Sequence, residues 1–169
     1  MLWQRALAVA LAPYAVWLVF GYAYHFLDGV NLAFHEAGHL FLGLFGQTLH
    51  FLGGTFGQLF FPAAAAFHFR ARGDAFAASV CVLWLGESLM NVAVYLGDAR
   101  AQALPLVGGH IHDWNWLLAH AGLLPHCETL GRLLHVAASA VVVSAWVGLA
   151  RAAFATGHGP RRAAPAQAT

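Results

Sequence analysis

The chain has 169 residues, of which 60% are apolar and only 9% are charged. Since an ordinary soluble domain carries about 25% charged residues, this composition excludes a soluble globular protein and predicts an integral membrane protein. Eight arginines, no lysine and a formal net charge of +1 leave no basic surface for phosphates, which excludes nucleic-acid binding. The length fits one domain. We expect a membrane domain over residues 1–155 and a disordered tail over residues 156–169.

Gaps between charged residues predict the membrane helices, because a crossing needs about 20 mostly apolar residues. In chain order, we expect helices over residues 7–27, 30–46, 75–97 and 129–154. Residues 98–127 are a predicted loop whose stretch DWNWLLAHAGLL is typical of an amphipathic interfacial helix. The predicted fold class is an all-α integral membrane protein with about four to five transmembrane helices.

The ambiguous segment is 47–72, which contains three glycines between residues 53 and 57 and is either a crossing, a re-entrant segment or a short helix. A full crossing would place His35 and the loop after residue 97 on opposite faces. A segment that returns to the face it left places six arginines on one face and two on the other, which satisfies the positive-inside rule. We therefore predict a Gly-rich re-entrant segment that lines a cavity.

His35, Glu36 and His39 form an H-E-x-x-H sequence, HEAGH, inside a predicted helix. On a helix the two imidazoles lie about 40° apart on one face, so they can bind one Zn²⁺ while Glu36 acts as general base toward a water that the metal polarises. With 11 His in the chain, a chance match is expected on the order of 0.01 times. The alternative, hydrogen-bonded polar residues between helices, is disfavoured because a lone carboxylate at membrane depth costs several kcal/mol.

A catalytic zinc site usually has three protein ligands, and the sequence leaves the third open. The candidates are Asp98, His110, His112 and Asp113. Asp113 begins a helix-like stretch, where an acidic residue is also favoured simply as an N-cap. Asp98 ends a predicted helix, which is the unfavourable end for an acid. We therefore expect Asp98 to pair with Arg100 or with the metal.

Two further polar residues, Glu87 and Asn91, lie on one stripe of the third predicted span. They either orient the substrate and polarise its carbonyl group, as oxyanion donors do, or only join helices by hydrogen bonds. The cysteines, Cys81 and Cys127, match neither a disulfide framework nor a zinc-ribbon spacing.

HEAGH in a membrane helix, the Gly-rich segment after it and the stretch LPLVGGHIHDW resemble the site-2 protease class of intramembrane zinc metallopeptidases, over roughly residues 31–118. That family has a core of three membrane helices and a downstream Asp ligand in an N-x-x-P-x-x-x-L-D-G motif. The resemblance implies that His35 and His39 are zinc ligands, that Glu36 is the base and that Asp113 is the third ligand. Asp113 is followed here by Trp114, where the family motif has Gly.

The predicted function is a membrane-embedded zinc metallopeptidase that hydrolyses a peptide bond of a membrane or membrane-adjacent substrate, with one Zn²⁺ per chain. Its expected location is a bacterial inner membrane, with lipid and a protein or peptide substrate as partners. The alternative is a non-hydrolytic metal-binding membrane protein, such as a carrier, sensor or assembly factor, that uses the HEAGH pair and the His-rich loop. A third hypothesis is a b-type haem protein with His25, His68 or His135 as axial ligands.

Overall fold

The computed structural model describes residues 1–107 and 111–155, and helices account for most of both ranges. The α-helices are α1 (Leu2–Gly21), α2 (Phe26–Leu42), α3 (Gln47–Ala71), α4 (Ala75–Asp98), α5 (Asp113–His120) and α6 (Cys127–Phe154). Short 3-10 turns at Gly43–Phe45 and Leu124–His126 precede α3 and α6. The described residues contain no β-strand, which confirms the all-α fold class. The predicted tail, residues 156–169, lies outside the described residues.

Three segments are long and apolar enough to cross a membrane: Leu2–Gly21, Ala75–Asp98 and Leu124–Phe154. This is consistent with a membrane protein. The sequence predicts the first helix over residues 7–27, because the charged Arg5 lies just before the apolar run. The observed helix α1 starts and ends earlier, at Leu2 and Gly21. In the structure Arg5 belongs to the first turn of α1, and its Nε donates a hydrogen bond to the carbonyl oxygen of Ala153 at 3.4 Å.

The antiparallel pair α4 and α6 forms the centre of the bundle. Gly131, near the start of α6, faces the last turns of α4, and a Cβ at this position would lie 2.8 Å from the carbonyl oxygen of Ala93. The absent side chain therefore allows the two backbones to approach closely, as small residues do between membrane helices. Against this pair α1 packs antiparallel to α6, and Leu18, Met90 and Val142 are fully buried where the three helices meet.

The two ends of the bundle differ in charge. One end, where α1 begins, α3 turns into α4 and α6 finishes, is here called the arginine-rich end and carries Arg5, Arg70, Arg72 and Arg151. The opposite end, called the loop end, holds residues 98–107 and 111–127 and the arginines Arg100 and Arg132. The described arginines are thus biased in the direction expected from the sequence. The remaining two, Arg161 and Arg162, lie outside the described residues.

The Gly-rich segment does not have the predicted re-entrant form, because residues 47–71 are one continuous helix of 25 residues. Its glycines serve a different purpose. A Cβ at Gly38 of α2 would overlap the carbonyl group of Gly53 and lie 3.1 Å from the Cα of Gly57, so these glycines bring the α2 and α3 backbones into direct contact. The cluster of glycines therefore reflects close packing of two helices rather than a break in the helix.

The segment that folds back into the bundle is instead the start of α2. After Gly21 the chain returns along α1, and the ring of His25 lies 5.0 Å from that of Trp17. The first turns of α2 then lie beside the middle of α4, where Asn31 contacts Trp84 and Glu87. The last turns of α2 reach the loop end, where α3 starts. His35 and the residues after Asp98 therefore share one end of the molecule, as the arginine distribution predicted.

Candidate metal centre

The two histidines of HEAGH lie one turn apart on the face of α2 that points toward α3 and α5. Their ring centroids are 4.7 Å apart, and their side chains are 9% and 14% exposed for His35 and His39, respectively. A Cβ at Gly54 of α3 would overlap the His35 ring, so the glycine leaves the space that this imidazole occupies. The close approach of α2 and α3 thus buries the pair.

A carbonyl oxygen fixes the orientation of each imidazole. Nδ1 of His35 lies 2.8 Å from Oε1 of Gln58, and Nδ1 of His39 lies 2.7 Å from the backbone oxygen of His50. Since a carbonyl oxygen can only accept, both Nδ1 atoms carry the proton, and each neutral imidazole presents the lone pair of its Nε2. This is the arrangement found around histidines that bind metals through Nε2.

The amide of Gln58 is itself held in one orientation by α4. Its Nε2 donates to the backbone oxygen of Ser88 at 3.3 Å, to Oγ of Ser88 at 3.2 Å and to Oδ1 of Asn91 at 3.2 Å. With three acceptors around the amide nitrogen, the amide oxygen must face His35. The tautomer of His35 is therefore set by contacts with a third helix.

The carboxylate of Asp113 completes the group. Its Oδ2 lies 3.0 Å from Nε2 of His35 and 3.2 Å from Nε2 of His39, and the three ligand atoms lie within 4.8 Å of one another. In the neutral imidazoles two lone pairs face a carboxylate oxygen and repel it unless a proton on Nε2 or a metal ion lies between them. Two imidazole nitrogens and one carboxylate oxygen are a donor set that Zn²⁺ accepts, so these residues fit the predicted ion.

Asp113 reaches this position because α5 is anchored on two other helices. Trp116 packs on Phe51 of α3 with ring centroids 4.6 Å apart, and Nδ2 of Asn115 donates to the backbone oxygen of Ala99 at 2.8 Å. The backbone N–H of Asp113 donates to the Tyr95 hydroxyl at 3.2 Å. Contacts with both α3 and α4 therefore set where the first residue of α5 lies.

Helix capping does not account for Asp113. The N-cap of α5 is His112, whose Nδ1 accepts a hydrogen bond from the backbone N–H of Asn115 at 3.3 Å. The Asp113 carboxylate faces the two histidines instead. The capping interpretation, which the sequence left open, thus applies to the preceding residue.

The charge state of Asp113 suits a metal ligand. Burial by itself raises the pKa of this carboxyl, but hydrogen bonds with His35 and His39 and the charge of these imidazoles outweigh burial and bring the pKa to about 2. The pKa of His112 is lowered, because burial outweighs attraction to Asp98 and Asp113. Asp113 is therefore an anion at neutral pH, which is the form that binds metals.

The other candidates for the third ligand are engaged elsewhere or not described. Asp98 accepts hydrogen bonds from the backbone N–H groups of Ala103 and Leu104, each at 3.0 Å. Its expected partner Arg100 instead pairs with Glu128 at 2.7 Å. The ring of His112 stacks on that of Tyr95, with ring centroids 4.0 Å apart. His110 lies outside the described residues.

A cavity of about 650 Å³ opens in front of the three ligands, and Glu36 lies on its wall together with them. Its apolar wall comes from α2, α3, α4 and the loop after α4, and includes Leu32, Phe51, Val94, Leu104, Leu106, Val107 and Ile111. A mostly apolar wall with few polar groups is typical of a ligand pocket. The Gly-rich helix does line a cavity, as predicted, although it is not re-entrant.

Asn91 and Glu87, the two polar residues predicted to support the substrate, have different surroundings in the structure. Asn91 lines the cavity, but its amide already bonds to Asp28 and Gln58. Glu87 is fully buried and is not among the residues that line the cavity. With His25 and Asp28 it forms a second group that could hold a metal ion.

Sequence reasoning missed Gln58, Tyr95 and Asp28 as parts of the site. The only available signal for Gln58 was a polar residue within an apolar Gly-rich run, and nothing in the sequence indicates its partner. The histidines of the haem hypothesis have different surroundings. Nε2 of His135 lies 3.0 Å from the backbone oxygen of Val19, and His68 lies in the last turn of α3.

No protein-family model matches this chain, and no curated protein or solved structure matches it either.

Proposed function

We propose that the chain is an integral-membrane zinc metallopeptidase in which His35, His39 and Asp113 hold the ion and Glu36 is the general base. The observation that carries the proposal is the convergence of two Nε2 atoms on the Asp113 carboxylate, with both Nδ1 atoms held by carbonyl oxygens. A histidine pair that only joined helices would not need both rings in the same tautomer. The HEAGH spacing and the resemblance to site-2 proteases agree with this function.

The residues around the ion have separate tasks in peptide hydrolysis. Zinc, when bound, acts as a Lewis acid toward the scissile carbonyl and makes water more acidic. Glu36 follows His35 on α2 and lies on the cavity wall, so its carboxylate can take the proton of the attacking water and pass it to the amide nitrogen as the C–N bond breaks. Gln58 and the His50 carbonyl keep the imidazoles in place during this transfer.

The substrate class follows from the cavity wall. Leucines and a valine of the loop after α4 face Leu32 and Phe51 across the cavity, so apolar side chains gain by entering it. We therefore propose an apolar peptide segment of a membrane or membrane-adjacent protein as the substrate.

The proposed topology has four crossings, made by α1, α3, α4 and α6. The 25 residues of α3 span about 37 Å, which is long enough for the hydrocarbon core, although α3 is not among the three segments that are also apolar enough. By the positive-inside rule the arginine-rich end faces the cytoplasm, and α2 begins beside the middle of α4 and runs out to the opposite side. A reporter fused after Arg72 should then report the cytoplasm, and one fused after Gln102 the other side. The reverse result would overturn this topology.

Glu36→Gln tests the hydrolytic function directly. In detergent micelles, the variant should bind zinc as the wild type does but cleave a quenched fluorescent peptide with an apolar membrane-spanning sequence about 100- to 10,000-fold more slowly. His39→Ala should lose both zinc and cleavage. Full cleavage by Glu36→Gln would refute the proposal. If the wild-type protein binds zinc but cleaves no peptide, the peptidase function is refuted in favour of the alternative, a metal-binding membrane protein without hydrolytic activity.

A further inference from the structure

A second buried polar group lies deeper in the bundle, between α1, α2 and α4. His25, Asp28 and Glu87 each offer one ligand atom, and these atoms lie within 4.8 Å of one another. Nδ1 of His25 is 2.6 Å from Oδ2 of Asp28, and its Nε2 is 3.9 Å from Oε1 of Glu87. The hydroxyl of Tyr14 lies 2.8 Å from the same Nε2, so the imidazole contacts Asp28 and Tyr14 directly, while the Glu87 carboxylate from another helix lies beyond hydrogen-bond distance.

Glu87 is the residue that points to a missing partner. Its side chain is fully buried, and Oε2 accepts a hydrogen bond from Nδ2 of Asn31 at 2.8 Å, while Oδ1 of Asn31 is held by Nε1 of Trp84. Oε1, by contrast, has no hydrogen-bond partner in the described part of the chain. A buried carboxylate oxygen without a partner is costly, and this one faces the His25 and Asp28 side chains.

Asp28 accepts hydrogen bonds at both carboxylate oxygens. Nδ2 of Asn91 donates to Oδ1 at 2.9 Å, the hydroxyl of Tyr22 donates to the same oxygen, and the backbone N–H of His25 donates to Oδ2 at 2.8 Å. The last of these bonds caps the start of α2, which explains why an acid stands at position 28. It does not explain why a second carboxylate, Glu87, approaches the first.

The balance of charge indicates what would fill the gap. Among the described residues, Arg100 is the arginine that forms a salt bridge, and its partner is Glu128 rather than Asp28 or Glu87. Two carboxylates in a buried environment need positive charge between them. His25 offers at most one such charge, whereas a divalent cation supplies two. Asp28 also lies on the wall of the cavity, which gives such a cation a path from outside.

We propose that His25, Asp28 and Glu87 bind a divalent cation, separate from the zinc predicted at His35 and His39. Two carboxylates and one imidazole favour a hard ion of the Mn²⁺ or Mg²⁺ type over zinc. The chain would then carry two metal ions, one more than the sequence predicts. This proposal is independent of hydrolytic activity, because none of its ligands contacts the HEAGH histidines.

Mn²⁺ is the probe for this site, since its electron paramagnetic resonance signal distinguishes free from bound ion. The test uses His39→Ala protein in detergent, so that the first site does not contribute. This variant should bind about one Mn²⁺ per chain. Adding Glu87→Gln should abolish binding, because the amide keeps the hydrogen bond to Asn31 but loses the negative charge at Oε1. Bound Mn²⁺ should also raise the melting temperature of His39→Ala but not of the double variant.

Two results would overturn the proposal. One is His39→Ala protein that is folded by circular dichroism but leaves all Mn²⁺ free, as expected if Asp28 and Glu87 share a proton instead. The other is Mn²⁺ binding that survives both Glu87→Gln and Asp28→Asn. If Glu87→Gln does not fold, Asp28→Asn in the same background gives the same test. Loss of zinc in His39→Ala bears only on the first site, so the failure of one proposal is distinguishable from the failure of the other.

Discussion

Replacing Gly54 by alanine tests whether the packing of α3 against His35 controls metal binding. The new Cβ would overlap Nε2 and Cε1 of the imidazole and lie 2.6 Å from Cδ2, whereas ordinary contacts begin at 3.4 Å. The ring must therefore move by about 1 Å, away from the acceptor on Gln58 and from Asp113. Loss of such a supporting hydrogen bond typically weakens metal binding by about 10- to 100-fold.

The same substitution should change stability much less. Alanine inside a helix gains up to about 1 kcal/mol over glycine, and overpacking of a well-filled site costs about 1–3 kcal/mol. We therefore expect a melting temperature close to that of the wild type, or modestly lower, together with a large loss of zinc affinity. A purely structural role for Gly54 would instead lower stability and leave the affinity of the folded protein unchanged.

The assay is competition for Zn²⁺ with a chromophoric chelator at fixed pH in detergent micelles. Gly29→Ala is the matched control, because this glycine also lies in a helix and a Cβ there has open space around it. Gly29→Ala should bind zinc as the wild type does. The reasoning is refuted if Gly54→Ala keeps wild-type zinc affinity, or if both alanine variants lose it equally.

Three further predictions concern the neighbours of the site. Gln58→Leu should weaken zinc binding about 10- to 100-fold, since leucine offers no acceptor to Nδ1 of His35; wild-type affinity in the chelator assay would contradict this role. Asp98→Asn should lower the melting temperature, because the loop after α4 is destabilised, but the variant should retain zinc by elemental analysis. Asp113→Asn should lose its zinc. Loss of zinc in Asp98→Asn would instead identify Asp98 as a ligand. Arg100→Ala should change the free energy of unfolding by less than about 1 kcal/mol, because the ion pair of Arg100 with Glu128 is exposed. A larger change, measured by chemical unfolding, would show that this ion pair is coupled to the loop.

The parts of the site that depend on local spacing could be predicted from the sequence. His35, Glu36 and His39 lie within one helical turn or so, so helix geometry alone places them on one side. Asp113 could only be narrowed to one of four candidates, because its position depends on how α5 rests on Phe51 and Tyr95, which no local pattern records. Charge gaps placed α4 and α6 closely, since few charged residues interrupt these apolar runs, whereas α1 and α2 begin earlier than predicted and α3 is one continuous helix that the sequence did not predict.

The parts that depend on contacts between helices could not be predicted. Gly53 and Gly57 looked like a break in the chain, but glycine favours both irregular backbone and close helix contacts, and only the position of Gly38 across the interface decides between them. Gln58 was overlooked for the same reason, because its amide gains a role only from the groups on α2 and α4 that surround it. The same limit applies to Asp28 and Glu87, which are 59 positions apart in the sequence.

The amides between the two polar groups have a consequence for how the sites communicate. Asn91 donates to Asp28 and accepts from Gln58, whose oxygen faces His35, so both amides point in the same direction. Reversing them would set a donor against Nδ1, move the imidazole proton to Nε2 and remove the lone pair that faces Asp113. The acceptor that Asp28 offers thus selects, through the two amides, the tautomer of His35 that can bind a metal. A ligand that holds Asp28 in this orientation should therefore strengthen metal binding at His35, and a metal at His35 should strengthen that ligand by the same factor, without movement of a helix.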